Sequence, residues 1–310
     1  MFETADVILR RQGLMAYAGH AISWEWDGFQ PKLVIFDFKK NGIEEGAPAE
    51  FHPGDRLDLT VSEARRCIGS FNESGHQPCP MRREVKGQHD QCPQCASSWI
   101  PVQNCIFEPA CDGVNTDCPG GKICAREHHV YAAFYGDMIK VGMTLSSRFM
   151  ERAIEQGADA IAQLGTYPNR LEARKAENVL SKALKATQWV RRNAFLRAQG
   201  RKIDRDAYQE MLDRALSSVN GDLIRPTKVR SLTDYPLPSL DLSRARFDTL
   251  PGRHRGEVLG CKGKFLVYRN KGGEVLLLGM SSLPSRLVTL DQGNHNKVQG
   301  YASTPPVNGA

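Results

Sequence analysis

The stretch His129-Val130-Tyr131-Ala132-Ala133-Phe134-Tyr135-Gly136-Asp137-Met138-Ile139-Lys140-Val141-Gly142-Met143-Thr144 decides how this chain folds. Two short runs rich in β-formers flank Gly136-Asp137, which suits a two-residue hairpin loop with glycine first. That loop sets a register in which Tyr135 faces Met138, Ala133 faces Lys140 and Tyr131 faces Gly142. Side chains alternate between the two faces of a strand. Ala132, Phe134, Ile139 and Val141 therefore share one apolar face. Tyr131, Tyr135 and Lys140 share the other, and Gly142 leaves a gap opposite Tyr131. Two tyrosines and a lysine around a glycine are an uncommon set for a face that only packs.

Downstream of the hairpin, residues 146–218 read as mostly helical. The first helix is expected from a Ser146 or Ser147 cap to a stop at Gly157. Arg148 and Arg152 lie four apart on it, hence on one face. A second helix is expected to begin near Pro168. Its apolar stripe is Ala176, Val179, Leu180, Ala183 and Leu184, with Glu177 at the edge, where it can point into a cleft. Trp189 closes this segment. Arg191, Arg192, Arg197, Arg201 and Lys202 follow with no acid until Asp204. They form either a phosphate-facing surface or a solvated helix face.

Upstream lies the densest signal. Eight of the nine cysteines fall between Cys67 and Cys124, and the ninth is Cys261. The start Met1-Phe2-Glu3-Thr4-Ala5-Asp6 does not resemble a signal peptide, and no apolar run approaches the roughly 20 residues of a membrane span. A cytoplasmic protein with no membrane contact is the expectation, and cytosolic thiols stay reduced. Dense cysteines under those conditions point to metal rather than disulfides. Cys92-Pro93-Gln94-Cys95 has the C-x-x-C spacing that lets one turn grip one Zn²⁺. Sequential grouping gives Cys67, Cys79, Cys92 and Cys95, then Cys105, Cys111, Cys118 and Cys124. Interleaved pairing is equally allowed, and His76, His89, His128 or His129 can replace a thiolate. One or two structural zinc ions are expected, with no open position for catalysis. They would supply folding energy that the apolar-poor residues 63–127 lack. Cys261, in a strand-like run, reads as a small buried hydrophobe.

The two ends of the chain read as β. Leu33-Val34-Ile35-Phe36 and Leu57-Asp58-Leu59-Thr60-Val61 mark the first segment, and Phe265-Leu266-Val267-Tyr268 and Val275-Leu276-Leu277-Leu278 mark the last. Each is too short for an independent sheet, so they are expected to pack together. Residues 222–252 hold Pro226, Pro236, Pro238 and Pro251 and read as a linker or a chain wrapping a surface. The class is α+β. Its expected divisions are a β segment (1–62), a zinc-binding segment (63–127), an α/β core (128–218), a linker (219–255), and a β segment with a loose tail (256–310). The 310 residues are 41% hydrophobic and 25% charged, which excludes collagen-like, disordered and coiled-coil chains. The formal net charge of +6 is compatible with a nucleic-acid partner. No phosphate loop, G-x-S-x-G elbow or H-E-x-x-H helix is present.

At the hairpin and its helices the chain resembles the GIY-YIG nuclease superfamily. Val130-Tyr131 stands for the first motif and Lys140-Val141-Gly142 for the second, with lysine in place of the second tyrosine. Arg152, or failing it Arg148, matches the family's helix arginine, and Glu177 its metal-binding glutamate. A closer resemblance is to an uncharacterised bacterial and archaeal family, a domain of unknown function, with a cysteine-rich stretch before such a core. It rests on Cys105-Ile106-Phe107-Glu108-Pro109-Ala110-Cys111, Cys124, His129 to Ala133, and Lys140-Val141-Gly142-Met143-Thr144. Arg152 to Ala158, Arg170, Glu177, Thr187-Gln188-Trp189 and Gly260 to Leu266 also fit. Ala153 and Leu145 depart from that pattern, standing where tryptophan and a basic residue are frequent.

The nuclease resemblance implies action on nucleic acid, DNA or RNA, by metal-dependent phosphodiester hydrolysis. Glu177 would hold Mg²⁺, a hard cation that prefers oxygen ligands. Arg152 would neutralise charge on the phosphoryl oxygens. Tyr131 would position or deprotonate the attacking water. A base role needs its phenol brought down from about 10, which Lys140 on the same face is expected to do. Without turnover, the same cleft would serve a nucleic-acid-binding module. With neither, the zinc segment would be a protein-interaction scaffold.

Overall fold

The computed structural model describes residues 15–37, 42–43, 49–72, 75–87, 89–96, 105, 108–114, 117–118, 120–199, 204–217, 219, 224–238, 240, 242 and 244–292. Five strands come first: β1 (Met15–Asp27), β2 (Gln30–Asp37), β3 (Gly42–Ile43), β4 (Ala49–Glu50) and β5 (Arg56–Arg65). The cysteine-rich stretch holds β6 (Ser70–Asn72), β7 (Gly75–Gln77) and two single helical turns, α1 (Pro93–Ala96) and α2 (Gly121–Cys124). Next come β8 (His128–Tyr135), β9 (Met138–Leu145), α3 (Phe149–Gln156) and β10 (Ala160–Tyr167). Helices α4 (Arg170–Ala183), α5 (Arg192–Gln199) and α6 (Arg205–Leu216) follow. The last strands are β11 (Arg230–Ser231), β12 (Arg246–Phe247), β13 (Gly252–Lys262), β14 (Phe265–Asn270), β15 (Val275–Gly279) and β16 (Arg286–Gln292).

β8 and β9 pair in the expected register, with Tyr131 opposite Gly142, Ala133 opposite Lys140 and Tyr135 opposite Met138. Gly136 begins the turn at φ 54°, a left-handed conformation that costs a residue without Cβ little. The hairpin sits in a four-stranded sheet of order β11-β10-β8-β9. One face carries Val130, Ala132, Phe134 and Val141 into a core with Ala173, Leu180 and Leu184 of the α4 segment and Tyr208 and Leu212 of α6. The other face carries Tyr131, Ala133 and Tyr135 against Ala153 and Ile154 of α3 and into the core of the larger sheet.

Two expectations need correcting here. Residues 146–218 are not continuously helical, because β10 intervenes and pairs with β8. Ala160-Ile161-Ala162 has low strand propensity, but a strand buried on both faces is selected by packing rather than by propensity. The stripe of α4 is also rotated from the expected one. Its buried residues are Ala173, Glu177, Leu180 and Ser181, whereas Val179 is 51% exposed. Glu177 thus lies in the buried stripe, not at its edge.

The β segments at the two ends of the chain do pack together. They form a ten-stranded sheet of order β12-β15-β14-β13-β5-β16-β1-β2-β3, with β4 paired to β2. β5 lies between β13 and β16, antiparallel to both. The proline-containing segment between α6 and β13 wraps rather than links, burying Val229, Leu232, Tyr235, Leu242 and Ala245. Cys261 is fully buried, as expected of a small hydrophobe.

The two sheets meet at a close backbone approach. A Cβ on Gly263 would fall 2.5 Å from the Gly157 backbone nitrogen. The indole nitrogens of Trp24 and Trp26 both donate to the Gly263 carbonyl, at 2.8 and 2.9 Å. Beside them, Lys262 on β13 pairs with Asp159 and donates to Gln199 of α5. Asp159 in turn accepts from the Gly136 backbone at 2.7 Å, tying the hairpin turn to the same junction. Among the described residues no helix is long and apolar enough to cross a membrane.

Candidate metal centre and phosphate cleft

Cys67 precedes β6 and Cys79 follows β7, so this small hairpin (Ser70 opposite Gln77) brings the two thiols together. The turn α1 carries Cys95 and starts just after Cys92. The four sulfurs lie within 4.8 Å of one another, with Cys79 and Cys92 4.0 Å apart. A tetrahedral zinc with bonds of about 2.3 Å would hold its sulfurs roughly 3.8 Å apart, so the donor set and spacing fit that ion. Backbone N–H groups of Cys92 and Gly69 donate to Cys67 Sγ at 3.1 and 3.4 Å, the kind of outer contact that orients a thiolate ligand. Against desolvation, donors at Arg83 and Met81 bring the Cys79 thiol down to about 7. Desolvation and the neighbouring sulfurs push Cys95 up, a conflict a bound cation relieves. Four cysteine ligands would leave a bound ion no open position, as in sites that brace a fold rather than catalyse.

The centre is tied to the large sheet by Arg65 of β5. Its guanidinium bonds to the carbonyls of Gly87 and His89 and to the Asp90 carboxylate, the last at 2.6 Å. The remaining cysteines are placed differently. Cys124 is buried, Cys105 and Cys118 are partly buried, and Cys111 is exposed. Arg170 donates to the Cys105 carbonyl at 3.0 Å. Among the described residues Cys67, Cys79, Cys92 and Cys95 are the one group gathered closely enough to hold a metal. A second zinc on Cys105, Cys111, Cys118 and Cys124 is therefore not assembled there, and no histidine joins the first.

On the small sheet, Tyr131 and Lys140 lie on the same face and meet at one acceptor. Gln156 Oε1, at the end of α3, accepts from Lys140 Nζ at 2.6 Å and from the Tyr131 hydroxyl at 3.4 Å. The phenol lies across Gly142, where an added Cβ would fall 2.8 Å from Tyr131 Oη. Phe149 stands edge-on to the Tyr131 ring, with centroids 6.1 Å apart. Arg152 pairs with Glu155 at 3.0 Å, and its positive charge acts on Tyr131, Lys140 and Lys264. Arg148 instead spends its guanidinium on Glu151 and Glu155. Arg152 is thus the arginine turned toward the cleft.

Glu177 touches this group through its charge, which acts on Tyr131 and Lys140. It belongs to α4, which packs mainly on the opposite face, and its Oε2 accepts from Arg174 Nη1 at 2.7 Å. Desolvation raises its pKa, although the Arg174 and Lys140 charges oppose the rise. One Glu177 oxygen is held by Arg174, so a Mg²⁺ here would rest on the other oxygen together with water and substrate oxygens. The expected acid–base roles also change. Burial pushes Tyr131 up to about 12, so Lys140 does not depress it. Lys140 itself falls to about 8, through desolvation and then the charges of Arg152 and Lys264.

Three participants were not singled out in the sequence. Gln156 lies four residues after Arg152, a same-face spacing that could have marked it. Arg174 lies three before Glu177 and was legible in the same way. Lys264 comes from the β13–β14 turn, far off in sequence, and nothing local points to it. Of the basic run, Arg191, Arg192 and Arg197 are exposed, and Arg192 lies over the Phe247 ring at 5.7 Å. Arg201 and Lys202 fall outside the described residues.

Fold and site together define an α+β protein in which a four-cysteine group able to hold a metal is tied to a large sheet, and that sheet packs on a small hairpin sheet. The family described as "Protein of unknown function (DUF2797)" matches residues 54–278, and the chain belongs to it. No curated protein and no solved structure matches the chain.

Proposed function

We propose that the protein acts on nucleic acid, seating a phosphodiester in the cleft between β8, β9 and α3, with the cysteine centre holding structural zinc. The observation that carries this reading is the convergence of Tyr131 and Lys140 on Gln156 beneath the Arg152 charge. A phosphate displacing Gln156 would take an ammonium, a guanidinium and a phenolic O–H, all of which favour an anionic oxygen.

The lowered Lys140 favours hydrolysis as a second step at this seat. An amine titrating near 8 is partly neutral at cellular pH and can take the proton from an attacking water. As the water oxygen bonds to phosphorus, the P–O bond to one sugar oxygen would break and that oxygen would leave with a proton from solvent, while Tyr131, which stays protonated, donates to a phosphoryl oxygen and Arg152 offsets the charge that develops there. Glu177 and Arg174 support α4 as a buried pair, and no step runs through a metal ion.

Binding of labelled single- and double-stranded DNA and RNA across a salt series tests the reading. Affinity should fall steeply with salt. Lys140→Ala and Arg152→Ala should each weaken it several-fold while the fold persists. Absence of binding to every form at low salt would refute it. Cleavage that survives Lys140→Ala undiminished would remove the hydrolytic step and leave the seat.

A further inference from the structure

The large sheet carries a second basic concavity that belongs neither to the cleft nor to the cysteine centre. It is a cavity of about 380 Å³ where β5, β13 and β14 run side by side. Cross-strand pairing builds it: Asp58 faces Arg255, Arg56 faces Glu257, and Glu257 faces Arg269. Lys271 completes the wall. Gly256 lets β13 and β14 run close together, since a Cβ there would strike the Arg269 carbonyl at 1.9 Å. The lining thus holds four cationic side chains against two carboxylates.

Cross-strand ion pairs on the solvent face of a sheet are ordinary, so the question is whether these cations are already spent. Asp58, 5% exposed, accepts from Arg253 at 2.9 and 3.0 Å and from Arg255 Nε at 3.2 and 3.1 Å. Among the described residues Arg255 bonds only through its Nε, so its two terminal nitrogens keep no described partner while the guanidinium plane is held in place. Arg56 approaches Asp58 no closer than 4.0 Å and is 75% exposed. Lys271 has no partner among the described residues. Arg269 is held by Glu257, through one terminal nitrogen at 2.9 Å. Three cationic groups therefore face one hollow with donors to spare, and a buried carboxylate fixes the orientation of one of them.

We propose that this cavity is a binding site for a phosphate ester. A phosphate offers several oxygens to two guanidinium forks and an ammonium, more than a single carboxylate can satisfy. The volume falls in the range of small-ligand pockets. No aromatic ring lines it. Recognition rests on the phosphate rather than on a stacked base, so the phosphate can come from a free monoester or from a polynucleotide backbone. The site does not depend on the function proposed for the cleft.

Titration calorimetry of the full chain at low salt tests it, with inorganic phosphate, adenosine monophosphate and a short oligothymidylate as probes. At least one probe should bind saturably. Arg56→Ala/Lys271→Ala should weaken that binding about tenfold or more, and Arg255→Ala should do the same. Arg56 and Lys271 have no close partner to lose, so that double variant keeps the test valid if Arg255→Ala fails to fold. Binding of the monoester assigns the site to small phosphates, and binding of the oligomer alone assigns it to a nucleic-acid backbone. The proposal is overturned if no probe binds, or if the double variant binds as tightly as the parent. It is also overturned if Arg214→Ala/Lys228→Ala, which removes the same charge elsewhere, weakens binding equally.

Discussion

Stripping the metal from Cys67, Cys79, Cys92 and Cys95 should unfold residues 67–96 and leave the large sheet standing. The magnitude follows from what else holds that span. Its core consists of the cysteines and Val85, with no other large aliphatic side chain. Burying one valine contributes about 1.5–3 kcal/mol. Ordering each backbone residue costs about 1–2 kcal/mol. A structural four-ligand zinc contributes on the order of 10–16 kcal/mol, several times what the valine can. β5, by contrast, keeps Leu57, Leu59 and Val61 in the main core and retains both strand partners. Hydrogen exchange before and after a strong chelator, with zinc counted by mass spectrometry, reads the outcome. The amides of Cys67, Ile68 and Ala96, which donate to Arg83, Asp90 and Cys92, should lose protection. The amides of Thr60 and Val61 should keep theirs. Unchanged protection across 67–96 in protein shown to be metal-free would refute the reasoning.

Lys140→Met should flatten part of the dependence of stability on pH. Folded Lys140 releases its proton near 8 and an unfolded lysine near 10.5, so the unfolded chain binds more protons between these values and stability rises with pH across that window. The rise amounts to about 3 kcal/mol, and melting curves from pH 7 to 10.5 on parent and variant should differ by that increment. Gly142→Ala forces the Tyr131 phenol aside, since the new Cβ meets its Oη and Cζ at 2.8 and 2.9 Å. Overpacking of this kind costs about 1–3 kcal/mol. With an unfolding entropy near 0.65 kcal/mol/K for a chain of this length, that lowers Tm by roughly 2–5 °C, and an unchanged Tm would contradict the placement of the ring. Gly263→Ala should be costlier, because Gly263 sits at φ +56° and its Cβ would meet the Gly157 backbone, which has no side chain to swing away. Its effect should reach the cleft as a rise in the Lys140 pKa, measured by NMR, once the junction opens to water.

The local parts of the fold were legible, and the non-local parts were not. Gly136-Asp137 carried the hairpin register, because turn chemistry and alternation act over a few residues. Cys92-Pro93-Gln94-Cys95 announced a metal group for the same reason, but its partners were left open between sequential and interleaved pairing, and the gathered set is the sequential one. β10 was missed because its alanines look helical until a strand is needed between β8 and β11. The stripe on α4 was misassigned because a buried glutamate breaks the apolar period. Glu177 can be buried only because Arg174 lies one turn away to meet its charge, and sequence pattern alone does not separate that pair from a solvated one. At the candidate cleft, the shared face of Tyr131 and Lys140 followed from the hairpin register, whereas Arg152 was preferred to Arg148 only through the family resemblance. The electrostatics ran opposite to expectation because burial of Tyr131, which no local pattern reports, outweighs any neighbouring charge.

The placement of Gly263 explains why a small hairpin sheet needs so large a partner. The residue after it, Lys264, brings a charge that helps hold Lys140 down. The residue before it, Lys262, anchors Asp159, which in turn holds the hairpin turn at Gly136. On the other side of the contact, Gly157 follows Gln156, the acceptor shared by Tyr131 and Lys140. The two tryptophans of β1 fix the Gly263 carbonyl, and β1 is itself paired to β16, which is paired to β5. β5 ends at Arg65, the residue that grips the cysteine centre. A path of hydrogen bonds therefore runs from the cysteine group through three strands to Gly263, and the close Gly263–Gly157 packing carries it on to Gln156. The small sheet alone would present the same tyrosine and lysine. It would lack the second lysine and the wall that keeps water from the first, so an amine titrating near 8 would return toward its ordinary value.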